Sequence, residues 1–462
     1  MKHKTHTPSK ALAFLLALLM TLSLAVTSAG AVSVETLNPV DDPLLGTKFD
    51  VDAVISLVAG EDGQDISLTI PVSGVSKAAL AAAVEAGSVE LSLLKDHSKP
   101  YVNEELYPYG TEGGALADWL TQDGSAQFTD VTVAVAGTDA APALAVSFHV
   151  NNYFYSTNWR TGETSVDYSV PHTNGGYYMD VCGYFDLTAQ ISGETVGSAP
   201  VKVAPYEKFN TMWEIYKELE AIEATGTANG LYVKKLSMGQ STAGRDMPYL
   251  IVADSQSSVE AWLKLTQAAE ADPDGVLAKL AAGQLDDIRV PVMYSNIHSN
   301  ETAATDGVLD FAKMIVSEKT ISYKVLTGFT AEGEAELAKE LGPVGEAGSV
   351  AVPDLVKDKA TYLGYLTVDN NGLSGKVNLE KYYTMETETV NVKDELLSDV
   401  FFLLVPEENV DGRTYLTRHS SNGYDLNRDN SFQTTSETAN MQQLIAAYNP
   451  VSFAEFHGRV KA

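Results

Sequence analysis

The sequence predicts a β-sandwich-like domain at residues 32–204, followed by an α/β domain at residues 205–462. Short runs that alternate apolar and polar residues, separated by Gly, Asp and Ser turns, fill the first region and are typical of a β-sandwich. In the second region strand-like apolar runs alternate with stretches of helical periodicity. This pattern predicts a mostly parallel or mixed sheet covered by helices.

The amino-terminal residues 1–31 have the features of a secretory signal peptide. Three lysines precede an apolar run at 11–26, and the small-residue stretch A-G-A ends at Ala31, where we expect cleavage. The apolar run is short for a membrane span, and no other apolar stretch approaches that length. We therefore expect a secreted, extracellular protein with no membrane partner after cleavage.

Charge and cysteine content limit the partners and the covalent structure. The chain has 31 basic and 61 acidic residues, a formal net charge of −30, and loss of residues 1–31 removes only lysines from this balance. Such an acidic protein is not expected to bind nucleic acid or anionic membranes. Cys182 is the single cysteine, so an intrachain disulfide is excluded and a place in the core is expected.

Strand patterns recur through the first domain. Clear examples are D-I-S-L-T-I-P-V at 65–72 and L-A-V-S-F-H-V at 144–150, and a helix is expected between strands at 76–86. The aromatic segment 152–181 admits two interpretations. It could bind carbohydrate or cell wall, although such stretches more often fill core and loops.

In the second domain the expected elements alternate along the chain. Their ranges are a helix at 209–222, a strand at 249–254, a helix at 258–270, a strand at 289–297, a helix at 301–316 and a strand at 451–457. The segment 317–392 is longer than a connection needs, so we expect it to be a surface insertion.

A candidate metal site follows from His298, Glu301 and His457. The first two lie where the strand at 289–297 meets the following helix, and their spacing of three places both on one side of the first helical turn. Two imidazoles and a carboxylate leave a zinc ion one open position, as a catalytic zinc requires. An H-x-x-E pair alone is a weak signal, but D-L-N-R at 425–428 and a later histidine strengthen it.

Several further motifs give the chain a recognisable resemblance. From about residue 205 to the end it resembles the zinc carboxypeptidase family of the carboxypeptidase A type. Five motifs match that family and occur in the family's order. The motifs are H-S-N-E at 298–301, G-Q-S-T-A-G-R at 239–245, N-V-D-G at 409–412, R-H-S-S-N-G-Y-D-L-N-R at 418–428 and A-E-F-H-G at 454–458. Departures are Val410 for a usual proline, Asp429 where asparagine is common, and Asn300 in place of an arginine.

The resemblance implies a role for each matching residue. His298, Glu301 and His457 would hold one Zn²⁺, and Asp425 would accept the free ring N–H of His298. Arg418 would stabilise the developing oxyanion. Asn427 and Arg428 would grip the terminal carboxylate of the substrate, because a guanidinium binds a carboxylate in a bidentate manner. The implied partner is a peptide with a free C-terminal carboxylate, with cell-wall peptides as one candidate.

One departure bears on catalysis. In the family the general base is a glutamate well downstream of the third ligand, and five residues follow His457 here. The sequence therefore predicts an incomplete catalytic domain, with Glu455 as a weak candidate for a substitute base. The alternative is a non-catalytic zinc-binding or adhesion protein. A downstream glutamate in the gene would favour an active enzyme.

Overall fold

The computed structural model of the chain describes residues 49–60, 62–99, 112–167, 181–333, 335 and 379–458. The predicted signal peptide lies outside these residues, as does part of the aromatic segment 152–181. Within the described part of the chain, no helix is both long enough and apolar enough to cross a membrane. The secreted location stays a prediction.

The chain divides into two compact units, Met1–Val316 with Val400–Gly458 and Ser317–Asp399 with Arg459–Ala462. The first unit contains both the amino-terminal sheets and the α/β sheet. The predicted domain boundaries at 31/32 and 204/205 stay predictions.

The amino-terminal region contains two main sheets and a short hairpin. A five-stranded sheet has the order β1-β10-β9-β3-β4, a three-stranded sheet has the order β2-β6-β5, and β7 pairs with β8. The strands are β1 Ala53–Ser56, β2 Gln64–Pro71, β3 Val89–Lys95, β4 Gly113–Ala115, β5 Phe128–Gly137, β6 Pro142–Val150, β7 Tyr155–Thr157, β8 Thr164–Val166, β9 Gly183–Ile191 and β10 Glu194–Ala204. Helix α1, Lys77–Glu85, confirms the predicted helix and begins after Ser76, whose side chain caps it.

Residues from both sheets share one hydrophobic core. Ile70 of the three-stranded sheet and Leu93, Leu187 and Val201 of the five-stranded sheet are all fully buried in the same cluster. Alternate residues of β2 are buried, which is the period expected for a strand with one face on a core. Cys182 is buried there too, as predicted. The β-sandwich itself stays a prediction.

The second large sheet has five strands in the order β11-β12-β16-β13-β17. Its strands are β11 Tyr232–Gln240, β12 Asp246–Ala253, β13 Val290–Ser295, β16 Val400–Val405 and β17 Ser452–Glu455. The helices of this region are α2 Met212–Ala228, α3 Gln256–Ala271, α4 Pro273–Ala281, α5 Thr302–Ser317, α8 Val410–Tyr415 and α9 Ser436–Tyr448.

The sheet is mixed, one of the two predicted forms. β11, β12 and β16 are antiparallel neighbours, whereas β16, β13 and β17 run parallel. The central strand β16 is a continuous apolar run, buried on both faces, as the middle of such a sheet requires. Buried residues of α3 and α9 pack with one face of the sheet in a single cluster.

Three predicted boundaries near the site change. The helix predicted at 301–316 begins at Thr302, so Glu301 precedes it. The strand predicted at 289–297 is shorter, Val290–Ser295, and the strand predicted at 451–457 ends at Glu455. Beyond both strand ends a single backbone bond to the neighbouring strand remains, from the amide of Asn296 to the carbonyl of Val405 and from the amide of Phe456 to the carbonyl of Ser295.

The second unit is built on an antiparallel hairpin of β14 Thr320–Phe329 and β15 Tyr383–Asn391. Short helical segments flank β15: α6 Leu379–Tyr382, a π-helical turn Val392–Leu396 and α7 Leu397–Asp399. It falls within and just beyond the segment 317–392 that the sequence predicts to be an insertion.

Candidate metal centre

The predicted ligands lie beyond the carboxyl ends of neighbouring parallel strands. His298 follows the end of β13 at Ser295 by three residues, and His457 follows the end of β17 at Glu455 by two. β16, the parallel neighbour of β13, ends at Val405, and the chain then continues to α8. The carboxyl ends of parallel strands meet at one edge of a sheet, which is where α/β proteins place their sites.

The structure brings the three predicted ligands together. Nδ1 of His298 lies 3.0 Å from Oε1 of Glu301 and 3.1 Å from Nδ1 of His457. Nδ1 of His457 lies 3.0 Å from Oε2 of Glu301. Among the described residues these form one group of potential metal ligands whose ligand atoms all lie within 4.8 Å of one another.

The chemistry of this group fits a metal ion. Nε2 of His298 lies 3.1 Å from Oδ1 of Asp425, and a neutral imidazole that donates from Nε2 to this carboxylate has its lone pair on Nδ1, toward Glu301 and His457. Burial lowers the pKa of His298 and keeps the imidazole neutral, the form that binds metals. Atoms bound about 2.0–2.2 Å from one zinc ion lie a little over 3 Å apart. The three residues can therefore hold a metal ion.

Buried Asn296 shapes the turn that carries the first two ligands. Its Nδ2 donates to the carbonyl of His298 at 3.1 Å, and its Oδ1 accepts from the amide of the same residue at 3.3 Å. The amide of Glu301 in turn donates to the carbonyl of His298 at 2.9 Å. The two ligands thus lie on a closed turn before α5. This corrects the prediction that both lie on the first turn of a helix.

Two glycines allow the backbone to approach this turn closely. The amide of Gly458 donates to Oε2 of Glu301 at 2.7 Å, and a Cβ at position 458 would lie 3.0 Å from the Cβ of Glu301. A Cβ at Gly412 would lie 2.4 Å from Oγ of Ser299. Both positions therefore favour glycine, which explains the glycines of A-E-F-H-G and N-V-D-G.

Asp425 and Arg418 complete the surroundings of the ligands. Oδ2 of Asp425 accepts from Nε of Arg418 at 3.0 Å, and Nη1 of Arg418 lies 3.3 Å from Oε1 of Glu301. Burial alone would raise the pKa of Asp425, but hydrogen bonds from Arg418 and His298 hold it below its usual range. A carboxylate and a cation are thus fixed beside the predicted metal ligands.

Asn427 and Arg428 occupy a short 3₁₀ turn beside Asp425. The amide of Asn427 donates to Oδ1 of Asp425 at 3.0 Å, and Nη1 of Arg428 donates to the carbonyl of Asn427 at 2.9 Å. The side chain of Arg428 is exposed. The structure therefore places both residues next to Asp425, while their predicted grip on a carboxylate stays a prediction.

Asp429 holds this turn to helix α9, a role the sequence did not reveal. Its carboxylate accepts from the backbone amides of Thr434 and Thr435 at 3.0 and 2.9 Å, and from the hydroxyl of Thr435 at 2.9 Å. The hydroxyl of Thr438 donates to it as well. The residue noted as a departure from the family pattern thus ties the D-L-N-R turn to the start of helix α9.

Buried Asp411 joins two motifs that are far apart in sequence. It accepts from Oγ of Ser241 at 2.7 Å, from the amide of Ala243 at 2.9 Å and from Nη1 of Arg245 at 2.8 Å. G-Q-S-T-A-G-R, the turn between β11 and β12, is therefore bonded to N-V-D-G at the start of α8. This contact holds the two motifs together.

The buried carboxyls of Glu407 and Glu408 and the half-buried carboxyl of Glu455 lie behind the ligand turn. Oγ of Ser295 donates to Oε1 of Glu455 at 3.0 Å, and Oγ1 of Thr305 donates to Oε2 of Glu407 at 3.0 Å. Burial raises the pKa of Glu407 to about 8. Burial, reinforced by the neighbouring Glu455, raises the pKa of Glu408. The adjacent glutamates E-E in the sequence gave no indication of this burial.

No known family profile matches the sequence, and no curated protein matches it. Several solved structures are similar to it. They are bacterial metallo-carboxypeptidases.

A metallo-carboxypeptidase from Burkholderia cenocepacia is 13% identical, with 60% of this chain and 50% of that chain covered and a TM-score of 0.29. A metallo-carboxypeptidase from Pseudomonas aeruginosa, in complex with (2-guanidinoethylmercapto)succinic acid, is 11% identical, with 90% and 66% covered and a TM-score of 0.26. This chain spans half the length of the Burkholderia protein. The roles of individual residues rest on the geometry described above.

Proposed function

We propose that this chain carries the zinc centre of a secreted metallocarboxypeptidase that hydrolyses C-terminal peptide bonds. The observation that carries the proposal is the convergence of His298, Glu301 and His457, with ligand atoms 3.0–3.1 Å apart. Asp425 supports it by fixing which nitrogen of His298 faces the other two ligands. Two imidazoles and one carboxylate are a zinc ligand set that leaves a position for substrate.

The neighbouring residues supply the remaining requirements of peptide hydrolysis. A zinc ion at this centre would act as a Lewis acid that polarises the scissile carbonyl. Arg418 lies beside Glu301 with its side chain 32% exposed, so its guanidinium can reach an oxyanion in the open part of the site. Asp425 keeps Arg418 in place through its hydrogen bond to Nε.

Arg428 would make the enzyme specific for the C-terminal end of a peptide. Its exposed guanidinium lies one turn from Asp425 and can form a bidentate pair with a terminal carboxylate. Only a free C-terminus supplies that group, so the proposed enzyme is an exopeptidase. Peptides of the cell wall are one substrate class that a secreted enzyme would meet.

A non-catalytic zinc-binding protein is the second candidate. The observation in its favour concerns Glu455, which the sequence offered as a substitute base. Its carboxyl is bonded to Ser295, and burial raises its pKa. It is thus part of the packing behind the ligand turn, where it accepts from Ser295.

Zinc analysis tests the metal centre directly. The purified chain should contain close to one zinc per molecule, and His298→Ala should lose most of it because a ligand and its Asp425 contact are removed together. His149→Ala is a matched control, since Nδ1 of His149 also pairs with a carboxylate, that of Asp65, at 2.8 Å. Equal zinc content in wild type and His298→Ala would disprove the assignment.

Peptide hydrolysis distinguishes the two candidates. The zinc-loaded chain is incubated with a peptide that has a free C-terminus and with the same peptide amidated, and products are read by mass spectrometry. Release of a single C-terminal residue from the free peptide alone supports the carboxypeptidase. Full zinc occupancy with no cleavage of either peptide supports the non-catalytic protein.

A further inference from the structure

We propose that Arg413 is a positioning residue for the metal centre, and that Asn210, which precedes helix α2, shares this role. The inference rests on the proposed zinc site and concerns how the chain holds the turn that carries His298 and Glu301. Arg413 directly follows N-V-D-G in α8, and its side chain is fully buried.

The guanidinium of Arg413 bridges two backbone carbonyls. Nη1 donates to the carbonyl of Ser299 at 3.1 Å, and Nε donates to the carbonyl of Asn210 at 2.9 Å. Ser299 lies between the two ligands of the turn. The guanidinium also lies 4.4 Å over the ring of Phe209. A planar, rigid donor set of this kind fixes the distance between two acceptors, which a lysine cannot do.

Asn210 makes a second contact on the other side of Glu301. Its Nδ2 donates to Oδ1 of Asp306 at 2.9 Å, and Asp306 lies in the first turns of α5. Nη2 of Arg413 lies 3.9 Å from the same carboxylate oxygen. The backbone before Glu301 and the helix after it are therefore both tied to Asn210 and Arg413.

The amino-terminal sheets fix the other end of this connection. Nζ of Lys202, in β10, donates to the carbonyl of Phe209 at 2.8 Å and pairs with Glu214 at 2.9 Å. Glu214 also accepts from the amide of Thr211 at 2.8 Å. Thr211 is the residue that caps helix α2. The segment 209–211 is thus held by buried groups from β10, α2 and α8. Because a buried ion pair contributes little net stability, fixing the geometry of the ligand turn is the role that these contacts support.

Zinc affinity is the test, measured by competition with a chromophoric chelator. Arg413→Met should weaken zinc binding about tenfold, at the low end of the effect expected for groups that orient metal ligands. Lys235→Met is the matched control: Lys235 is another buried cation, paired with Glu220 at 2.8 Å, and its loss should leave zinc affinity unchanged. Wild-type zinc affinity in folded Arg413→Met would overturn the inference.

Asn210→Ala decides the matter if Arg413→Met does not fold by circular dichroism. It removes one hydrogen bond, that to Asp306, and should weaken zinc binding about threefold, the effect of one such bond. Unchanged affinity in this variant overturns the inference. Failure of the wild type to bind zinc overturns both the proposed function and the inference, whereas zinc binding that is equal in wild type and both variants overturns the inference alone.

Discussion

The candidate metal centre has an inner side and an outer side that are built differently. On the inner side His298 and Glu301 are 1% and 5% exposed, and buried groups bond to the backbone between them. On the outer side the side chains of His457 and Arg418 are 36% and 32% exposed. The inner side therefore fixes ligand geometry, and the outer side leaves access for a solute. The proposed hydrolytic function needs both properties.

Two arginines show the same contrast within one residue type. Arg413 is buried and donates to two backbone carbonyls, whereas Arg428 is exposed and donates to the carbonyl of its neighbour Asn427. A buried arginine must have its donors satisfied inside the protein, and an exposed one keeps donors free for a ligand. Position in the fold, rather than residue type, separates the positioning role proposed for Arg413 from the binding role proposed for Arg428.

The largest expected effect comes from removing one ligand on each side. His298→Ala and His457→Ala should each weaken zinc binding at least about a hundredfold, since each removes a ligand from a three-ligand site. Without metal, only His298→Ala should lower the free energy of unfolding, by about 2–3 kcal/mol, because it empties a packed position. His457→Ala should change it by less than about 0.5 kcal/mol. Chelator competition measures the zinc affinity, and urea unfolding in EDTA measures the free energy of unfolding. Equal destabilisation by His298→Ala and His457→Ala would refute the distinction between the inner and the outer side.

Arg428→Ala tests the outer side as a binding surface. For peptides with a free C-terminus kcat/KM should fall at least about thirtyfold, since a lost charge-assisted pair is worth about 2–5 kcal/mol. Amidated peptides should be cleaved poorly by wild type and variant alike. Arg160→Ala, which removes an exposed arginine of the amino-terminal region, serves as the control. Equal losses on free and amidated peptides would contradict the role of Arg428.

Asp429→Asn tests the support beneath the outer turn. Burial opposes ionisation of Asp429, but hydrogen bonds from Thr434 and Thr438 outweigh it and hold its pKa well below the usual range. Its stabilisation is therefore present above the unfolded pKa of about 4 and is lost as the pH falls toward the depressed folded pKa. At pH 7 the free energy of unfolding of Asp429→Asn should be about 2 kcal/mol lower than that of the wild type.

Urea unfolding at pH 7 and at pH 3 checks this prediction. The difference between wild type and Asp429→Asn should shrink at the lower pH, because the wild-type carboxylate then loses part of its advantage. A difference that is the same at both pH values would show that the charge of Asp429 has no part in holding the turn.

The smallest of these effects is expected for Asp425→Ala. Zinc binding should weaken about tenfold, because His298 loses the acceptor that orients its ring and fixes its tautomer. Asp65→Ala removes the carboxylate beside His149 and should leave zinc affinity unchanged. Wild-type zinc affinity in Asp425→Ala would mean that Asn296 and the surrounding packing suffice to orient His298.

The arrangement of the ligands could be predicted because it depends on strand ends. Apolar runs located β13 and β17, and parallel neighbours bring the residues that follow them to one edge of the sheet. The antiparallel half of the sheet was harder to predict from the sequence, because it depends on the hairpin that β11 and β12 form around G-Q-S-T-A-G-R. The start of α5 was misplaced because Asn296, outside the helix, determines the turn that carries Glu301.

The supporting residues could not be predicted, because each acts across a long stretch of sequence. Arg413 donates to Asn210, and Asp411 accepts from Ser241 and Arg245, which lie far earlier in the chain. Local patterns carry no information on such contacts. Motif spacing therefore predicted which residues would come together as candidate ligands, while the side chains that hold them could be found only from the fold.

Zinc dependence of unfolding tests the central claim most directly. Above its dissociation constant, each tenfold increase in free zinc should raise the unfolding free energy of the wild type by about 1.4 kcal/mol, because zinc binds the folded form. His457→Ala keeps the inner side intact but should bind zinc at least about a hundredfold more weakly, so its unfolding free energy should not change with zinc up to about ten times the wild-type dissociation constant. A wild type that is indifferent to zinc, or an equal zinc response in His457→Ala, would contradict a metal centre formed by His298, Glu301 and His457.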